Sequence, residues 1–551
     1  MSWIRGCLAG IGAALISATP LWAQAPAAQP APPAKLVVAI SVDQFGLDLY
    51  QRYRPTFTGG LKRLGEGLSF AGYQSHSATE TCPGHSTILT GEHPSHTGIV
   101  ANSWYERATG STVYCVSVDG DADPNARGPV KLRVDTLGDW LKRARPGARS
   151  IAVSGKDRAA IMMAGHHPDA VYWWVDRTGF ATSHYAGPAT PAVLAPAQAF
   201  DKARFAAWRA QPPKFWPKDV PQRCAALETP HKFGQVTLTG EIPPQTAPGG
   251  GLPLSDPHFD DELRASPAFD PMTLAFAGEL VRHHRLGQGP STDLLAISLS
   301  ATDLIGHRYG AGGPEMCVQM AELDAALGQF FDSLDRQGLA YTVVLTADHG
   351  GSDAPERAGA PATRVDAAAT LGALSSHLRK AFDLTYDPLV GDDPRQLILA
   401  LAPLDQARRA AIVGDAVTWL KARPEVAGAY TADEIAGVVV PNGKPAPELT
   451  MAERFAESFE RERSGDILVA YAEHATLGMP RSLGDTVAGH GSPWDYDRRV
   501  PILFWWRGVK PVAESQPIET VDIAPTLAAV MDVPPPPVDG RCLDIGQGCR
   551  K

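Results

Sequence analysis

The sequence predicts an α/β protein organised around a mostly parallel β-sheet. The chain has 551 residues, 44% of them hydrophobic, which is ample for a large core in one loop-rich unit or in two domains. Several short runs are almost continuously apolar, as expected for strands that are buried on both faces of a parallel sheet. These runs cover residues 35–42, 150–154, 293–300, 342–347 and 500–506.

The first 34 residues are expected to lie outside the folded unit. Residues 1–23 have the pattern of a signal peptide, because Arg5 precedes a short apolar stretch that ends in a small-residue cleavage site. A transmembrane anchor is the less favoured interpretation, since Pro20 interrupts that stretch. Residues 24–34 form a Pro/Ala-rich tether. We therefore expect one folded domain over 35–551, periplasmic or secreted, with no membrane span once the signal is removed.

The elements between the apolar runs follow from periodicity and turn residues. Two stretches, 159–265 and 360–465, lack the pattern of the central sheet and are expected to be insertions, the second with a strand at 396–400. No internal repeat is present. Helices are expected over 56–70, 271–284 and 520–531, along an apolar stripe at 323–334, and from Thr81 onward, where Pro83 suits a first helical turn.

Charge and cysteine content narrow the function classes. The formal net charge of −10 argues against a general nucleic-acid binder, which would need a basic face. An acidic protein still binds phosphate locally where metals or an Arg/Lys pair dominate the site. Six cysteines remain after the signal peptide, and their even number favours disulfides in an oxidising compartment. They are Cys82, Cys115, Cys224, Cys317, Cys542 and Cys549; a Cys542–Cys549 pair would close a short loop, and the other pairings stay open.

Polar residues gather where the apolar runs end. In an open α/β sheet, ligand-binding groups lie at the carboxyl ends of the strands. Each residue alone has an ordinary structural interpretation, such as a helix cap, a turn or a solvated charge. The candidates are Asp43, Thr81, Asn102, Lys156, Arg158, Asp303, His307, Asp348, His349 and His490.

Taken together, these candidates indicate a metal site. Three carboxylates and three imidazoles suit two borderline metal ions such as zinc. The helix start at Thr81 favours a phosphate or another anion. A calcium ion at the acidic turn 119–125 is the less favoured further cofactor, because Pro124 stands where an EF-hand loop needs glycine.

The motifs that carry these residues resemble the alkaline phosphatase superfamily. Within it, the chain resembles the monomeric bacterial alkaline phosphatases of the PafA/PhoK type, which are related to the nucleotide pyrophosphatase/phosphodiesterases. The resemblance covers about residues 35–545, in matching order and spacing. It rests on SVDQF, ATETCPGHSTILTG, NSW, GKDR, SATDLIGH, TADHGG and GHGSPWDYD.

This resemblance implies a three-layer α/β/α sandwich, a monomer and two zinc sites. One site would use Asp303, His307 and His490, and the other Asp43, Asp348, His349 and the Thr81 oxygen. Asn102, Lys156 and Arg158 would contact phosphate oxygens. The departures from the family pattern lie in the insertions, which leaves substrate preference open.

The function implied is hydrolysis of small phosphomonoesters through a phosphothreonine on Thr81, with some phosphodiesterase activity and no nucleic-acid partner. A nucleotide pyrophosphatase/phosphodiesterase would keep the same metals and threonine, and is the main alternative. A non-catalytic phosphate- or metal-binding protein is an alternative of another class. A sulfatase is excluded, because Pro83 follows Cys82 directly and Ser86 replaces the arginine of the C/S-x-P-x-R motif.

Overall fold

The computed structural model describes residues 34–546, except 122, 124–125, 184, 186–189, 392 and 403. The predicted signal peptide and all but the last residue of the tether, as well as Cys549, lie outside the described residues.

The described chain contains nineteen strands. They are β1 (Leu36–Val42), β2 (Leu68–Tyr73), β3 (Ser103–Glu106), β4 (Ser111–Tyr114), β5 (Ser150–Ser154), β6 (Ala170–Val175), β7 (Gly179–Ala181), β8 (His231–Phe233), β9 (Val236–Leu238), β10 (Asp293–Leu299), β11 (Tyr341–Thr346), β12 (Thr363–Val365), β13 (Leu389–Val390), β14 (Gln396–Leu399), β15 (Val426–Thr431), β16 (Ile467–Tyr471), β17 (Ala475–Leu477), β18 (Arg499–Trp506) and β19 (Val512–Glu519).

The same part of the chain contains nineteen α-helices. They are α1 (Leu47–Tyr53), α2 (Gly60–Gly65), α3 (Thr81–Thr90), α4 (Pro94–Thr97), α5 (Leu137–Ala144), α6 (Asp157–Ala164), α7 (Pro191–Ala210), α8 (Gln222–Ala225), α9 (Phe259–Arg264), α10 (Phe269–His284), α11 (Ala301–Tyr309), α12 (Pro314–Arg336), α13 (Pro355–Ala358), α14 (Ala367–Ala381), α15 (Gln406–Lys421), α16 (Ala432–Ala436), α17 (Met451–Ala456), α18 (Asp495–Arg498) and α19 (Ile523–Val530).

A nine-stranded sheet forms the centre of the molecule, in the order β19-β2-β18-β11-β1-β10-β5-β6-β7. Its middle strands β11, β1, β10, β5 and β6 are parallel. The strands β18 and β7 run antiparallel to their neighbours. The predicted mostly parallel α/β fold is therefore confirmed.

The side chains of β1 show why the fold has three layers. Successive residues of a strand point to opposite faces of the sheet. Leu36, Val38 and Ile40 belong to one core with residues of α10 and α12. Val37 and Ala39 belong to the other core with residues of α6 and α19. Because both faces of the strand are covered, the run is apolar without alternation.

The prediction of a helix over residues 56–70 is wrong for the second half of that segment. Helix α2 ends at Gly65, and residues from Leu68 onward form β2, which pairs with β18 and β19. The backbone passes so close to β18 that a Cβ on Gly67 would lie 2.1 Å from the Phe504 carbonyl oxygen. Pairing with strands more than 400 positions later overrides the local helical pattern.

The first insertion was predicted over residues 159–265, but its predicted start is too early in the chain. Helix α6 packs against β5 and β6. The aromatic run of β6 pairs in parallel with β5, and β7 continues the sheet beyond it. Only the segment after Ala181 departs from the central sheet, because the tryptophan-rich run 170–175 is a buried strand and not an irregular cap.

The second insertion, predicted over 360–465, folds into a smaller α/β unit, but it ends later than predicted, because β16 belongs to its sheet. Its sheet has the order β13-β14-β16-β15 with antiparallel pairings, and the predicted strand at 396–400 is β14. Residues of α14 and α15 cover one face, and residues of α16 and α17 cover the other. This small unit stands beside the carboxyl edge of the central sheet and contributes to the cavity described below.

Two disulfides join distant parts of the described chain. Cys82 pairs with Cys115, and Cys224 pairs with Cys317. Cys542 is also disulfide-bonded, but its predicted partner Cys549 lies outside the described residues. Between residues 34 and 546, no described helix has the length and hydropathy needed to cross a bilayer.

Candidate active site

The predicted ligands meet at the carboxyl edge of the central sheet. Asp43 follows β1, Asp348 follows β11, and Asp303 lies in the first turn of α11, just after β10. These three strands are adjacent and parallel, so their ends lie side by side. All three carboxylates are buried.

Asp303, His307 and His490 form the first group. The His307 Nε2 atom lies 3.2 Å from Asp303 Oδ1, and the His490 Nε2 atom lies 3.4 Å from the same oxygen. The i, i+4 spacing on α11 brings Asp303 and His307 together. The other ring nitrogens are held by backbone carbonyls: His307 Nδ1 is 2.9 Å from Ala488 O, and His490 Nδ1 is 2.7 Å from Thr79 O. Both Nε2 atoms are thereby directed at Asp303.

Asp43, Asp348 and His349 form the second group. The His349 Nε2 atom lies 3.4 Å from Asp43 Oδ1 and 3.3 Å from Asp348 Oδ2. The ring of His349 stacks on that of His490 with centroids 3.7 Å apart, so the two groups adjoin. His349 also combines with Asp303 and His490 into a set whose ligand atoms lie within 4.8 Å of one another.

The donor atoms of both groups suit metal ions. Asp43 Oδ1, Asp303 Oδ1, Asp348 Oδ2 and His349 Nε2 are buried without a hydrogen-bond partner. Leaving such groups unpaired is costly, so their convergence indicates a ligand that satisfies them. Burial lowers the pKa of His349 to about 3, which keeps its imidazole neutral, as metal binding requires. The structure therefore holds two adjoining candidate metal-binding clusters.

Electrostatics within the site are dominated by the carboxylates. Burial opposes the charge of Lys156, yet Asp303 and Asp43 raise the pKa of its ammonium group. Burial likewise opposes the Asp303 carboxylate, but Lys156 and His307 hold its pKa well below the usual range. For His490 the Asp303 carboxylate outweighs burial and raises the pKa to about 9.

Thr81 is the first residue of α3 and is buried. Arg158 Nη2 approaches its hydroxyl at 3.4 Å. His85, one turn along α3, bridges the helix to the ligands: its Nδ1 lies 2.9 Å from Thr81 O and 3.1 Å from Asp348 Oδ2. His85 was missed from the sequence, although its i+4 position from Thr81 on the same helix is a signal that could have found it.

Asn102 also lies at the start of α3. Its Oδ1 accepts a 2.8 Å hydrogen bond from the backbone N–H of Cys82. A helix start leaves N–H groups free for an anion, but the Cys82 N–H is used in this bond. Because the carbonyl of the amide is occupied, its NH₂ group is the part left to donate to a ligand.

Lys156 and Arg158 differ in their surroundings. Lys156 Nζ lies 2.5 Å from both Asp43 Oδ2 and Asp303 Oδ2, so it joins the two candidate metal groups. Arg158 is held by Tyr114, whose hydroxyl accepts from Nη1 at 3.4 Å and donates to Asp157 at 2.6 Å. Tyr114 comes from the β3–β4 hairpin, and nothing in its local sequence marks it as part of the site.

A cavity of about 440 Å³ opens next to the clusters. Its wall includes Asn102, His307 and His490 on the central unit, and Arg395 and Tyr471 on the small unit.

The acidic turn at 119–125 lies apart from this site. Asp119 is engaged by Lys131 at 2.6 Å. The described residues of the turn form no metal-binding group. Residues 122 and 124–125 lie outside the described part, so the calcium hypothesis stays a prediction.

Comparison with known proteins shows the family. Residues 37–492 match the family model of type I phosphodiesterase / nucleotide pyrophosphatase. The chain belongs to this family. It is 42% identical to alkaline phosphatase PhoK of a Sphingomonas species, over 94% of this chain and 92% of that one. It is 39% identical to alkaline phosphatase PhoD of Zymomonas mobilis, over 93% and 88% of the two chains.

A solved structure agrees with this assignment. The crystal structure of alkaline phosphatase PafA superposes with a TM-score of 0.81 at 26% identity, covering 94% of this chain and all of the PafA chain. The predicted resemblance to the PafA/PhoK type is therefore confirmed, together with the three-layer fold and the expectation of an enzyme. The non-catalytic alternative is not favoured.

Proposed function

We propose that this enzyme is an exported, zinc-dependent alkaline phosphatase that hydrolyses small phosphomonoesters through a phosphothreonine on Thr81. The observation that carries the proposal is the position of Thr81, buried at the start of α3, where Arg158 approaches its hydroxyl and His85 connects its carbonyl to Asp348. Export rests on the signal peptide predicted over residues 1–23. A monomer and some phosphodiesterase activity follow from the resemblance.

Zinc is the metal that the donor set suits best. The ligands would be Asp303, His307 and His490 for one ion, and Asp43, Asp348, His349 and the Thr81 oxygen for the other. Mixed imidazole and carboxylate donors are typical of zinc, whereas calcium and magnesium prefer oxygen alone. When bound, the pair supplies charge stabilisation to the transferring phosphoryl group and lowers the pKa of the attacking hydroxyl or water.

The reaction divides into two displacements at phosphorus. In the first, a bond forms from Thr81 Oγ1 to phosphorus while the bond to the leaving-group oxygen breaks, and the threonine proton is lost as the leaving oxygen gains one. In the second, water attacks phosphorus, the bond to Thr81 breaks, and phosphate departs with the hydroxyl restored. Arg158 and the NH₂ group of Asn102 orient the phosphoryl oxygens throughout.

A nucleotide pyrophosphatase/phosphodiesterase is the second candidate, because the matched family model carries that description. The monoesterase is favoured by charge. A monoester dianion has one more negative charge on its phosphoryl oxygens than a diester, and Lys156 and Arg158 provide two cations to meet that charge.

The identity of the nucleophile is tested with Thr81→Ala and its matched control Thr81→Ser. We expect the alanine variant to lose turnover of an aryl phosphate by at least about 1,000-fold, while the serine variant keeps a hydroxyl and measurable turnover. Acid quenching with labelled substrate should trap phosphate on residue 81 in wild type and in Thr81→Ser. Near-normal rates in Thr81→Ala, or label on another residue, would show that Thr81 is not the nucleophile.

A further inference from the structure

Glu80 and Arg395 form a partly buried ion pair next to the proposed nucleophile. Arg395 Nη2 donates to Glu80 Oε1 at 2.8 Å. The Arg395 side chain is 27% exposed and the Glu80 side chain is 12% exposed, so the pair is partly shielded from water. Glu80 immediately precedes Thr81, whereas Arg395 belongs to the small unit, 315 residues later.

The second oxygen of Glu80 leads to Asn102. Glu80 Oε2 accepts a 2.8 Å hydrogen bond from the backbone N–H of Asn102. The side-chain oxygen of Asn102 then accepts from Cys82 N at 2.8 Å. Asn102 is therefore held at both its backbone and its side chain, and these two hydrogen bonds fix the orientation of its NH₂ group.

Arg395 also contacts the loop that carries His490. Its Nη1 donates to the His490 carbonyl oxygen at 3.0 Å, and its Nε bonds to Asp393 at 3.3 Å. Gly491 makes room for this contact, because a Cβ at that position would lie 1.7 Å from Arg395 Nη1. The backbone of Gly491 has φ of +98°, which other residues rarely adopt.

We propose that Arg395 and Glu80 are positioning residues that align Asn102 for the transferring phosphoryl group, so that the small unit takes part in building the phosphate site. The inference rests on the proposed role of Asn102 at that site. Arg395 fixes the Glu80 carboxylate, and Glu80 fixes the backbone of Asn102. Charge-assisted hydrogen bonds are strong enough to hold such a geometry, and a small displacement of an oriented donor is costly for catalysis.

A double-mutant cycle on kcat/KM for an aryl phosphate tests the proposal. The single variants are Glu80→Gln, Arg395→Met and Asn102→Ala. The two double variants combine Asn102→Ala with Glu80→Gln and with Arg395→Met. We expect each single change to lower kcat/KM by roughly 10-fold. In the Asn102→Ala background, Glu80→Gln and Arg395→Met should each cost less than about 2-fold, because residues that act through one partner are not additive.

Three controls accompany the cycle. Arg409→Met removes a guanidinium from the same unit whose hydrogen bonds within the described chain go to the Leu404 and Ala402 carbonyls, and it should leave kcat/KM unchanged. Zinc content and thermal midpoint show whether each variant is folded and loaded. Inhibition by inorganic phosphate should weaken in Glu80→Gln as it does in Asn102→Ala.

The outcomes separate this inference from the function on which it rests. Fully additive losses in the cycle, or an Arg395→Met that behaves like Arg409→Met, would overturn the positioning role. If Asn102→Ala itself changed kcat/KM by less than 2-fold, the assignment of Asn102 to the phosphate site would be wrong. If both positioning variants lost zinc in parallel with activity, Arg395 would act on the His490 loop and not on Asn102.

Discussion

At the scale of single residues, Lys156 and Arg158 show how two cations of one turn take different roles. Both follow β5 within a Gly-Lys-Asp-Arg turn, and this local sequence is typical of a solvent-exposed turn. The structure places the Lys156 ammonium between Asp43 and Asp303, and the Arg158 guanidinium beside the Thr81 hydroxyl. Of these two cations, Arg158 is thus the one that contacts the proposed nucleophile.

We expect both Lys156→Ala and Arg158→Ala to cost a monoester more than a diester. The measurement is kcat/KM for an aryl phosphate and a bis-aryl phosphate. Each loss on the monoester should be about 1–3 kcal/mol, or roughly 10- to 100-fold, as for a charge-assisted hydrogen bond. Arg143→Ala is the charge-matched control, because Arg143 is exposed and paired with Asp135. Equal losses on both substrates, or a wild type that prefers the diester, would favour the phosphodiesterase.

At the scale of elements, α3 is the helix that carries Thr81, the proposed nucleophile, at its first position. It begins at Thr81 and ends at Thr90, where Gly91 takes the left-handed conformation with φ of +76°. The Cys82–Cys115 disulfide ties its first turn to the end of the β3–β4 hairpin, which also carries Tyr114. One covalent bond therefore links the surroundings of Thr81 and of Arg158.

Removal of this disulfide should impair both stability and turnover. For Cys82→Ser combined with Cys115→Ser we expect a loss of roughly 2–4 kcal/mol in stability, seen as a lower thermal midpoint. We also expect kcat to fall, because both Thr81 and Arg158 lose a constraint. The matched control combines Cys224→Ser and Cys317→Ser, a pair that joins α8 to α12. That control should lose stability but keep kcat, and an equal loss of kcat in both pairs would contradict the specific role.

At the scale of the whole molecule, the carboxyl edge of the sheet concentrates negative charge in the interior. Asp43, Asp303 and Asp348 are each at most 2% exposed, and Lys156 is the cation in contact with two of them. The folded state thus carries buried carboxylates that bound metal would stabilise, while the unfolded chain has no such site.

We expect about two zinc ions per active chain and a loss of activity on chelation. Chelation should also lower the thermal midpoint, since a ligand at 100 times its Kd adds about 2.7 kcal/mol per site to the folded state. Metal analysis, activity and thermal unfolding are measured on the same sample before and after zinc is returned. Active enzyme without a transition metal would contradict the zinc hypothesis, as would a chelated enzyme that regains activity with calcium alone.

Much of the site could be predicted because its residues follow recognisable elements. Asp43 and Asp348 come directly after apolar strands, and the spacing of Asp303 and His307 suits one helical face. These are local patterns, and parallel strands place their carboxyl ends at one edge whatever the rest of the chain does. The predictions of a helix over 56–70 and of an insertion starting at 159 are wrong. The reason is that β2 and β6 owe their conformation to pairing with other strands, which the local sequence does not show.

The sequence by itself determined where the apolar strands of the central sheet end and which polar side chains follow them, since each depends on residues within one helix or strand. Only the tertiary structure decided that Lys156 bridges two carboxylates, that Asn102 occupies the Cys82 N–H, and that Arg395 reaches Glu80 across 315 residues. These contacts arise where separate elements pack together. Their partners are chosen by the three-dimensional course of the backbone, on which local periodicity carries no information.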